Sequence, residues 1–283
     1  MDERSLGKQL QAARQAAGLT QQQLCHYANL SFSTLTKIER GAIKAPSIFT
    51  IQAIADALNV SLDELIGSSV SVGGHRKLKK TKSGVSFVYF DVNGCLIYFY
   101  QHAFDKLAAT TGVNPEVVES AFWRYNDDVC RGAISLSDFN AKLAKHIGVD
   151  KVEWQQYYLE NVEPIEEMQK LLIWTSERYR VGLLTNIMPG FLSAMRRSHQ
   201  LPNVHYTTII DSSEVGAVKP EVKMYEIAQE RAGCPADEIL LIDDSNANLA
   251  AANRLGWHVL WFDDSHPEES VKRASKALEP ADD

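Results

Sequence analysis

The groups in this chain that could do chemistry stand at the ends of apolar runs. Phe87-Val88-Tyr89-Phe90 stops at Asp91, with Val92, Asn93 and Gly94 next in the chain. Val181-Gly182-Leu183-Leu184 stops at Thr185-Asn186, and Ile239-Leu240-Leu241-Ile242 stops at Asp243-Asp244. Short β-branched and aromatic runs of this kind read as buried parallel strands, and a parallel sheet gathers the residues at its strands' C-terminal tips along one rim. A carboxylate, a hydroxyl beside an amide, and a pair of acids at one rim suit phosphoryl chemistry. A carboxylate such as Asp91 can take a phosphoryl group as an aspartyl-phosphate. The charge on that group then needs a divalent cation, a lysine, and hydroxyl or amide donors.

The rest of the chain supplies elements to position these groups. After residue 84, strand-like runs alternate with amphipathic helical patterns, which indicates βαβ units and a parallel sheet. The first 67 residues instead carry short helical patterns only. Leu6, Leu10, Ala13 and Ala17 recur at helical spacing up to Gly18; Thr20, Ser31 and Ser47 cap three further helices; Ser61 and Glu64 form a capping-box start for a fifth. The small residues Ser68 to Gly74 and a basic run to Gly84 separate the two regions. The expected organisation is an all-α five-helix domain over 1–67, a flexible basic linker over 68–84, and a Rossmann-like α/β domain over 85–283. A helical cap is expected at about 98–165, and the polar tail from Glu279 to Asp283 is expected to fray.

Composition excludes several classes. The chain of 283 residues is 45% apolar and 23% charged, as in soluble globular proteins. Met1-Asp2-Glu3-Arg4-Ser5 lacks the apolar core of a signal peptide, and no stretch approaches a membrane span, so a cytoplasmic protein without membrane contact is expected. Cys25, Cys95, Cys130 and Cys234 are scattered with no Cys-x-x-Cys pair, which suggests neither a zinc site nor a disulfide framework. The net charge of −7 is uneven: residues 1–67 are neutral, 68–84 carry +5, and 85–283 carry −12. Any nucleic-acid surface therefore belongs to the first 84 residues.

Leu19-Thr20-Gln21 and, further on, Ile38-Glu39-Arg40-Gly41 stand at fixed positions in the helical region. This region resembles the repressor-type, xenobiotic-response-element-like helix-turn-helix over residues 4–66. The resemblance implies a third helix in the major groove of double-stranded operator DNA. By position, Phe32, Ser33 and Lys37, with Thr36 a weaker candidate, would face bases, while Gln21, Ser31, Arg40 and Lys44 would touch phosphates. Leu35 and Ile38 point inward on the same helix, which leaves Phe32 outside, where packing on a thymine methyl would account for it. A homodimer on a palindromic site is expected, because a net-neutral reading domain attracts DNA weakly. The basic run His75 to Lys82 could also lie along the DNA backbone.

The second region resembles the haloacid-dehalogenase-like hydrolases over residues 85–265, with four motifs in family order: Asp91-Val92-Asn93-Gly94, Thr185-Asn186, Lys219-Pro220 and Asp243-Asp244. The resemblance implies Asp91 as nucleophile and Mg²⁺ on Asp91, the Asn93 backbone carbonyl and Asp244, with Asp243 assisting. Thr185 and Asn186 would hold phosphate oxygens, and Lys219 would neutralise nucleophile and phosphate. In the cap, Trp123, Tyr125, Asn126 and Arg131 are candidates to reach a ligand or to form cap core. The departure is Asn93. The family's phosphatases place a second aspartate there to protonate the leaving oxygen and then activate water, a contribution of about 10²–10⁴-fold, and an amide cannot titrate.

These residues support three readings. The first is a DNA-binding transcriptional regulator whose catalytically impaired second domain binds Mg²⁺ and phosphate, or a phosphorylated small-molecule effector. The second is an active Mg²⁺-dependent aspartyl-phosphate phosphatase tethered to a DNA- or protein-binding module. The third is an interaction scaffold, since helical bundles of the first kind also bind proteins.

Overall fold

The computed structural model describes residues 3–17, 19–43, 46–58, 65 and 79–281. The chain divides into two compact units, 1–76 and 77–283.

In the first unit, α1 spans Glu3–Ala16, α2 Gln21–Tyr27, α3 Phe32–Glu39 and α4 Ile48–Leu58. Helices this short are marginal alone and hold by packing. Leu10, Leu24, Leu35, Ile38, Ile51, Ile54, Leu58 and Leu65 supply the shared core. Thr20 and Gln23 form a capping box on α2, and Ser31 caps α3 by accepting from the Thr34 N–H at 3.1 Å. The ends of α1 and α3 are tied by a buried ion pair. Arg14 donates through Nε to Glu39 Oε1 at 2.7 Å and through Nη2 to Oε2 at 3.2 Å. The helix expected to start at Ser61 lies outside the described residues, apart from the buried Leu65.

The second unit is built on five parallel strands, β1 Phe87–Phe90, β2 Arg180–Thr185, β3 Thr208–Asp211, β4 Ile239–Asp243 and β5 His258–Trp261, in the order β3-β2-β1-β4-β5. β1 is central and wholly buried, which explains its unbroken apolar sequence. Val88 and Phe90 face one core with Val181, Leu183, Leu240 and Ile242. Phe87 and Tyr89 face the other, under α12 (Val222–Ala232) and α13 (Asn246–Arg254). Register pairs Phe90 with Leu183 and Ile242, so Asp91, Thr185 and Asp243 emerge at one sheet edge.

Four helices between β1 and β2 form the cap: α5 Gln101–Thr111, α6 Pro115–Cys130, α7 Leu136–Ile147 and α8 Trp154–Glu160. Phe104, Phe122, Phe139 and Trp154 make its aromatic core, with Phe104 and Trp154 stacked at 5.3 Å. The two crossings into and out of the cap pair with each other. Ile97 bridges Pro164, and the Tyr98 and Ile165 N–H groups donate to Glu163 and Leu96 at 2.9 and 3.0 Å. The remaining helices are α9 Glu166–Ser176, α10 Phe191–Arg197, α11 Ser212–Val215 and α14 Pro267–Ala277. Among the described residues no helix is long and apolar enough to cross a membrane.

Two expectations need correction. Residues 79–84, read from composition as the end of a flexible linker, belong to the second unit: Thr81 is buried and bridges Pro280, Lys80 pairs with Glu238 at 2.5 Å, and Lys82 pairs with Glu279 at 2.8 Å. The tail is correspondingly not frayed at its start, since the Ala281 N–H donates to the Lys80 carbonyl at 2.9 Å. Residues 68–78 and Asp282 and Asp283 lie outside the described residues.

Gly182 in β2 has no room for a side chain. A Cβ there would sit 2.8 Å from the Thr208 carbonyl oxygen and 2.7 Å from the Tyr89 ring. Gly182→Ala should therefore lower stability by about 1–3 kcal/mol through overpacking. The measurement is the urea unfolding midpoint of the second unit's transition, with an unchanged slope.

Candidate functional site

The sheet edge assembles a compact charge cluster. Asp91 follows β1 directly, and its N–H donates to the Ile242 carbonyl at 3.0 Å, which continues the ladder one residue past the strand. Lys219 reaches in from the loop before α12, with Nζ 2.8 Å from Asp91 Oδ1 and 2.6 Å from Asp243 Oδ2. The other oxygen of Asp243 accepts from the Ser245 N–H at 2.9 Å and Asn248 Nδ2 at 3.0 Å. Carboxylate oxygens of Asp91, Asp243 and Asp244 lie within 4.8 Å of one another.

Three carboxylates against one ammonium leave a deficit of positive charge. Burial, with Asp243 and Asp244 adding to it and Lys219 opposing, pushes the Asp91 carboxyl up to about 8. Burial and Asp243 push Asp244 up to about 6. Burial alone would lower Lys219, but Asp243 and Asp91 outweigh it and hold the lysine protonated. A divalent cation fits this donor set. Asp91 Oδ2 and the Asp244 carboxylate have no side-chain partner among the described residues, whereas both oxygens of Asp243 are engaged. Asp243 is thus better placed to hold Lys219 than to bind metal. Gly94, at φ +79°, brings the 93–94 backbone so close that a Cβ would collide with the Asp244 carboxylate. The backbone of Asn93 therefore borders the same donors.

Thr185, the last residue of β2, is fully buried with an unpartnered Oγ1. A buried hydroxyl without a partner is costly, and a phosphate oxygen would satisfy it. The Asn186 side chain is engaged with Lys219. Its Oδ1 accepts from the Lys219 N–H at 2.7 Å and its Nδ2 donates to the Lys219 carbonyl at 2.9 Å, so its side chain positions the lysine.

Asn93 is held on three sides. Its Nδ2 donates to Tyr100 Oη at 3.0 Å and to the Asn186 carbonyl at 3.3 Å, and its Oδ1 accepts from Tyr158 Oη at 2.6 Å. A carbonyl only accepts, so the atom facing Asn186 is the nitrogen. Tyr100 and Tyr158 were not singled out from the sequence. Trp154 and Tyr158 share one helical face by spacing, but nothing in the string shows that this face meets Asn93. Among the four cap candidates, Trp123 is exposed, stacks on Phe99 and lies with its ring 6.2 Å from that of Tyr100, Tyr125 meets His146, Asn126 accepts from Cys130 Sγ, and Arg131 pairs with Glu221.

On the first unit, Phe32, Ser33, Thr36, Lys37 and Arg40 line a groove of about 360 Å³ along the outer face of α3. Phe32 is 51% exposed, while Leu35 and Ile38 are buried behind it. Three expected contacts are already committed internally. Gln21 Nε2 donates to Glu39 at 2.7 Å, Ser31 Oγ caps α3, and Thr36 Oγ1 donates to the Phe32 carbonyl at 2.8 Å. Lys44 lies outside the described residues.

Comparison with known proteins matches both units. A helix-turn-helix family model covers residues 10–65, and a model described as haloacid dehalogenase-like hydrolase covers residues 89–262. The immunity repressor protein of Bacillus phage phi105 is 37% identical over 68 residues, 24% of this chain and 46% of that protein. The chain thus spans about half the length of that repressor. The uncharacterised HTH-type transcriptional regulator YazB of Bacillus subtilis is 42% identical over 59 residues, 21% of this chain and 84% of that protein. Among solved structures, an HAD-like family hydrolase from Porphyromonas gingivalis has a TM-score of 0.55 at 22% identity, covering 68% of this chain and 98% of that one. The HAD family enzyme bt-2542 of Bacteroides thetaiotaomicron, in complex with magnesium and inorganic phosphate, has a TM-score of 0.53 at 20% identity, covering 64% and 96%. At these identities the likeness to solved structures is one of fold.

The unpartnered Thr185 hydroxyl gives a two-sided expectation. Thr185→Val should stabilise the fold by on the order of 1 kcal/mol, read as a raised thermal unfolding midpoint, because an orphaned polar atom is removed. The same variant should weaken phosphate bound at the cluster by about 10–100-fold, measured by calorimetry in the presence of Mg²⁺.

Proposed function

The chain belongs to the haloacid dehalogenase-like hydrolases and carries a helix-turn-helix unit, and from that premise we propose a sequence-specific DNA-binding transcriptional regulator whose second unit binds Mg²⁺ with phosphate or a phosphorylated metabolite and has impaired turnover. One observation carries this reading. The cluster keeps Asp91, Thr185, Lys219 and Asp244 in place, while the position that should shuttle protons holds an amide bridged to two tyrosines and a backbone carbonyl.

Asp91, Asp244 and the Asn93 carbonyl would hold the Mg²⁺, which when bound would offset the charge of a phosphoryl group. Magnesium and inorganic phosphate occur together in bt-2542, which shares the fold. Lys219, fixed at its backbone by Asn186 and at its ammonium by Asp243, presents charge to the nucleophile and to a phosphoryl oxygen. Thr185 donates its free hydroxyl to another. Asn93 can neither give up nor take a proton in the cycle, so release from Asp91 is slow.

On DNA, Phe32, Ser33 and Lys37 read base edges from the groove of α3, and Arg40 contacts phosphate. Gln21 and Ser31 contribute less through side-chain donation than as parts of the scaffold that aims α3. Two copies on a palindromic operator complete the contacts.

The competing reading, an active phosphatase tethered to a DNA- or protein-binding module, rests on the same intact constellation and is separated by experiment. Selection from random DNA should yield a palindromic site whose retention on a gel falls at least about ten-fold in Lys37→Ala. Absence of any selected sequence moves the first unit to a protein-binding role. With p-nitrophenyl phosphate and Mg²⁺, wild-type turnover should lie at least about ten-fold below that of Asn93→Asp. That substitution adds a titratable group and sets an oxygen against the Asn186 carbonyl, which loosens the bridge. Robust wild-type turnover abolished by Asp91→Asn would establish the phosphatase instead.

A further inference from the structure

Resting on the phosphate-binding reading, we propose that Asp91 is a site of lasting phosphorylation that takes its phosphoryl group from small acyl phosphates and not from alkyl phosphate monoesters. The donor class follows from what the cluster can do with charge and cannot do with a proton.

The accepting atom is defined. Asp91 Oδ1 takes the Val92 N–H at 2.7 Å and the Lys219 ammonium at 2.8 Å, which leaves Oδ2 without a side-chain partner among the described residues. A lone pair on Oδ2 forms the new bond to phosphorus. The bond from phosphorus to the donor's leaving oxygen breaks, and its electron pair stays on that oxygen. The transferred group meets the Lys219 ammonium and the buried, unpartnered Thr185 hydroxyl.

The leaving oxygen decides which donors react. From an acyl phosphate it departs as a carboxylate, which is stable at neutral pH without a proton. From an alkyl monoester it departs as an alkoxide, which has to be protonated as it leaves. No side chain held at the cluster is free to give that proton. Asn93 is an amide, and Tyr158 spends its hydroxyl proton on Asn93 Oδ1 at 2.6 Å. The Tyr100 oxygen faces the Asn93 amide N–H at 3.0 Å. Lys219 points at Asp91 and Asp243, and both Asp243 oxygens are engaged. Asp244 is the remaining carboxyl, and in the phosphate-binding reading it holds the cation. Bond energies agree. Transfer from an acyl phosphate to Asp91 exchanges one mixed anhydride for another, whereas transfer from an ester makes an anhydride from a more stable bond.

The same deficiency preserves the product. Hydrolysis of the aspartyl-phosphate needs a water that gives up its proton as it attacks phosphorus. The position expected to accept that proton holds Asn93, whose Nδ2 donates to Tyr100 and to the Asn186 carbonyl. Phosphorylated Asp91 therefore accumulates instead of turning over, and a regulator built this way reads the supply of acyl phosphates.

The test incubates the full-length protein in Mg²⁺ with acetyl phosphate and, separately, with ethyl phosphate, and reads intact and peptide masses. Acetyl phosphate should add one phosphoryl group, located at Asp91, at least about ten-fold more extensively than ethyl phosphate. Asp91→Asn should gain none. After the donor is removed, the wild-type adduct should outlast that of Asn93→Asp by at least about ten-fold. The two-donor comparison in wild type carries the test if Asn93→Asp does not fold. Equal labelling by the two donors overturns the donor class, and wild-type discharge as fast as that of Asn93→Asp overturns persistence. Acetylation without phosphoryl gain, or a phosphoryl group only at another residue, overturns the modification site. Where any of these failures occurs and orthophosphate still binds by calorimetry, the phosphate-binding reading stands; where orthophosphate does not bind either, both fall together.

Discussion

The second unit is organised around a single buried ammonium. Lys219 Nζ lies between Asp91 and Asp243 at 2.8 and 2.6 Å, with side-chain exposures of 1%, 8% and 0%. Removing such groups from water costs several kcal/mol each, and the cost is recovered only where geometry and further hydrogen bonds are good. Asp243 meets that condition through Ser245 and Asn248, and Lys219 through the two backbone bonds to Asn186. Asp91 and Asp244 do not meet it fully. Burial and mutual repulsion hold both carboxyls above the usual carboxylate range, which a cation between them would relieve, so the cluster differs from a completed structural ion pair.

The same contacts link charge to cap position. Asn186 grips the Lys219 backbone with its side chain and receives Asn93 on its own carbonyl; Asn93 passes the connection to Tyr100 and Tyr158 in the cap. A disturbance at Lys219 and a disturbance at α8 therefore meet at one side chain. Arg131 adds a second tie from the end of α6 to Glu221, close to the start of α12. The cap is thus tied at both margins to the loops that carry Lys219 and Asn186.

How much of this was legible in the sequence depends on the range of the interactions. Strand tips are local: an apolar run that stops at Asp91, Thr185 or Asp243 reports its own geometry, and parallel pairing does the rest. The partners of those tips are not local. Asn186 meets Lys219 across 33 residues, Tyr158 meets Asn93 across 65, and Arg14 meets Glu39 across 25. Side-chain type predicts that such polar groups need partners but not which ones. That is why the Asn186 side chain's hold on Lys219 and the cap tyrosines were missed, and why Lys80 and Lys82 read as linker charge although Glu238 and Glu279 stand beside them.

The same reasoning narrows the first unit. Its charge is neutral over residues 1–67, and Arg14, buried near the end of α1, is neutralised by Glu39. Of the polar groups on or near α3, Gln21 and Thr36 have donors engaged within the fold and Ser31 Oγ caps the helix, which leaves Lys37 and Arg40, among the described residues, as the cations lining the outer groove. Each phosphate neutralised contributes roughly 0.9 to the slope of log affinity against log salt, so two cations make a shallow electrostatic term. Lys80 and Lys82 add little, because carboxylates of their own unit already face them. Were two copies to present this groove to a symmetric operator, a half-site spacing near one helical turn would be the geometric constraint on how their α3 helices are held.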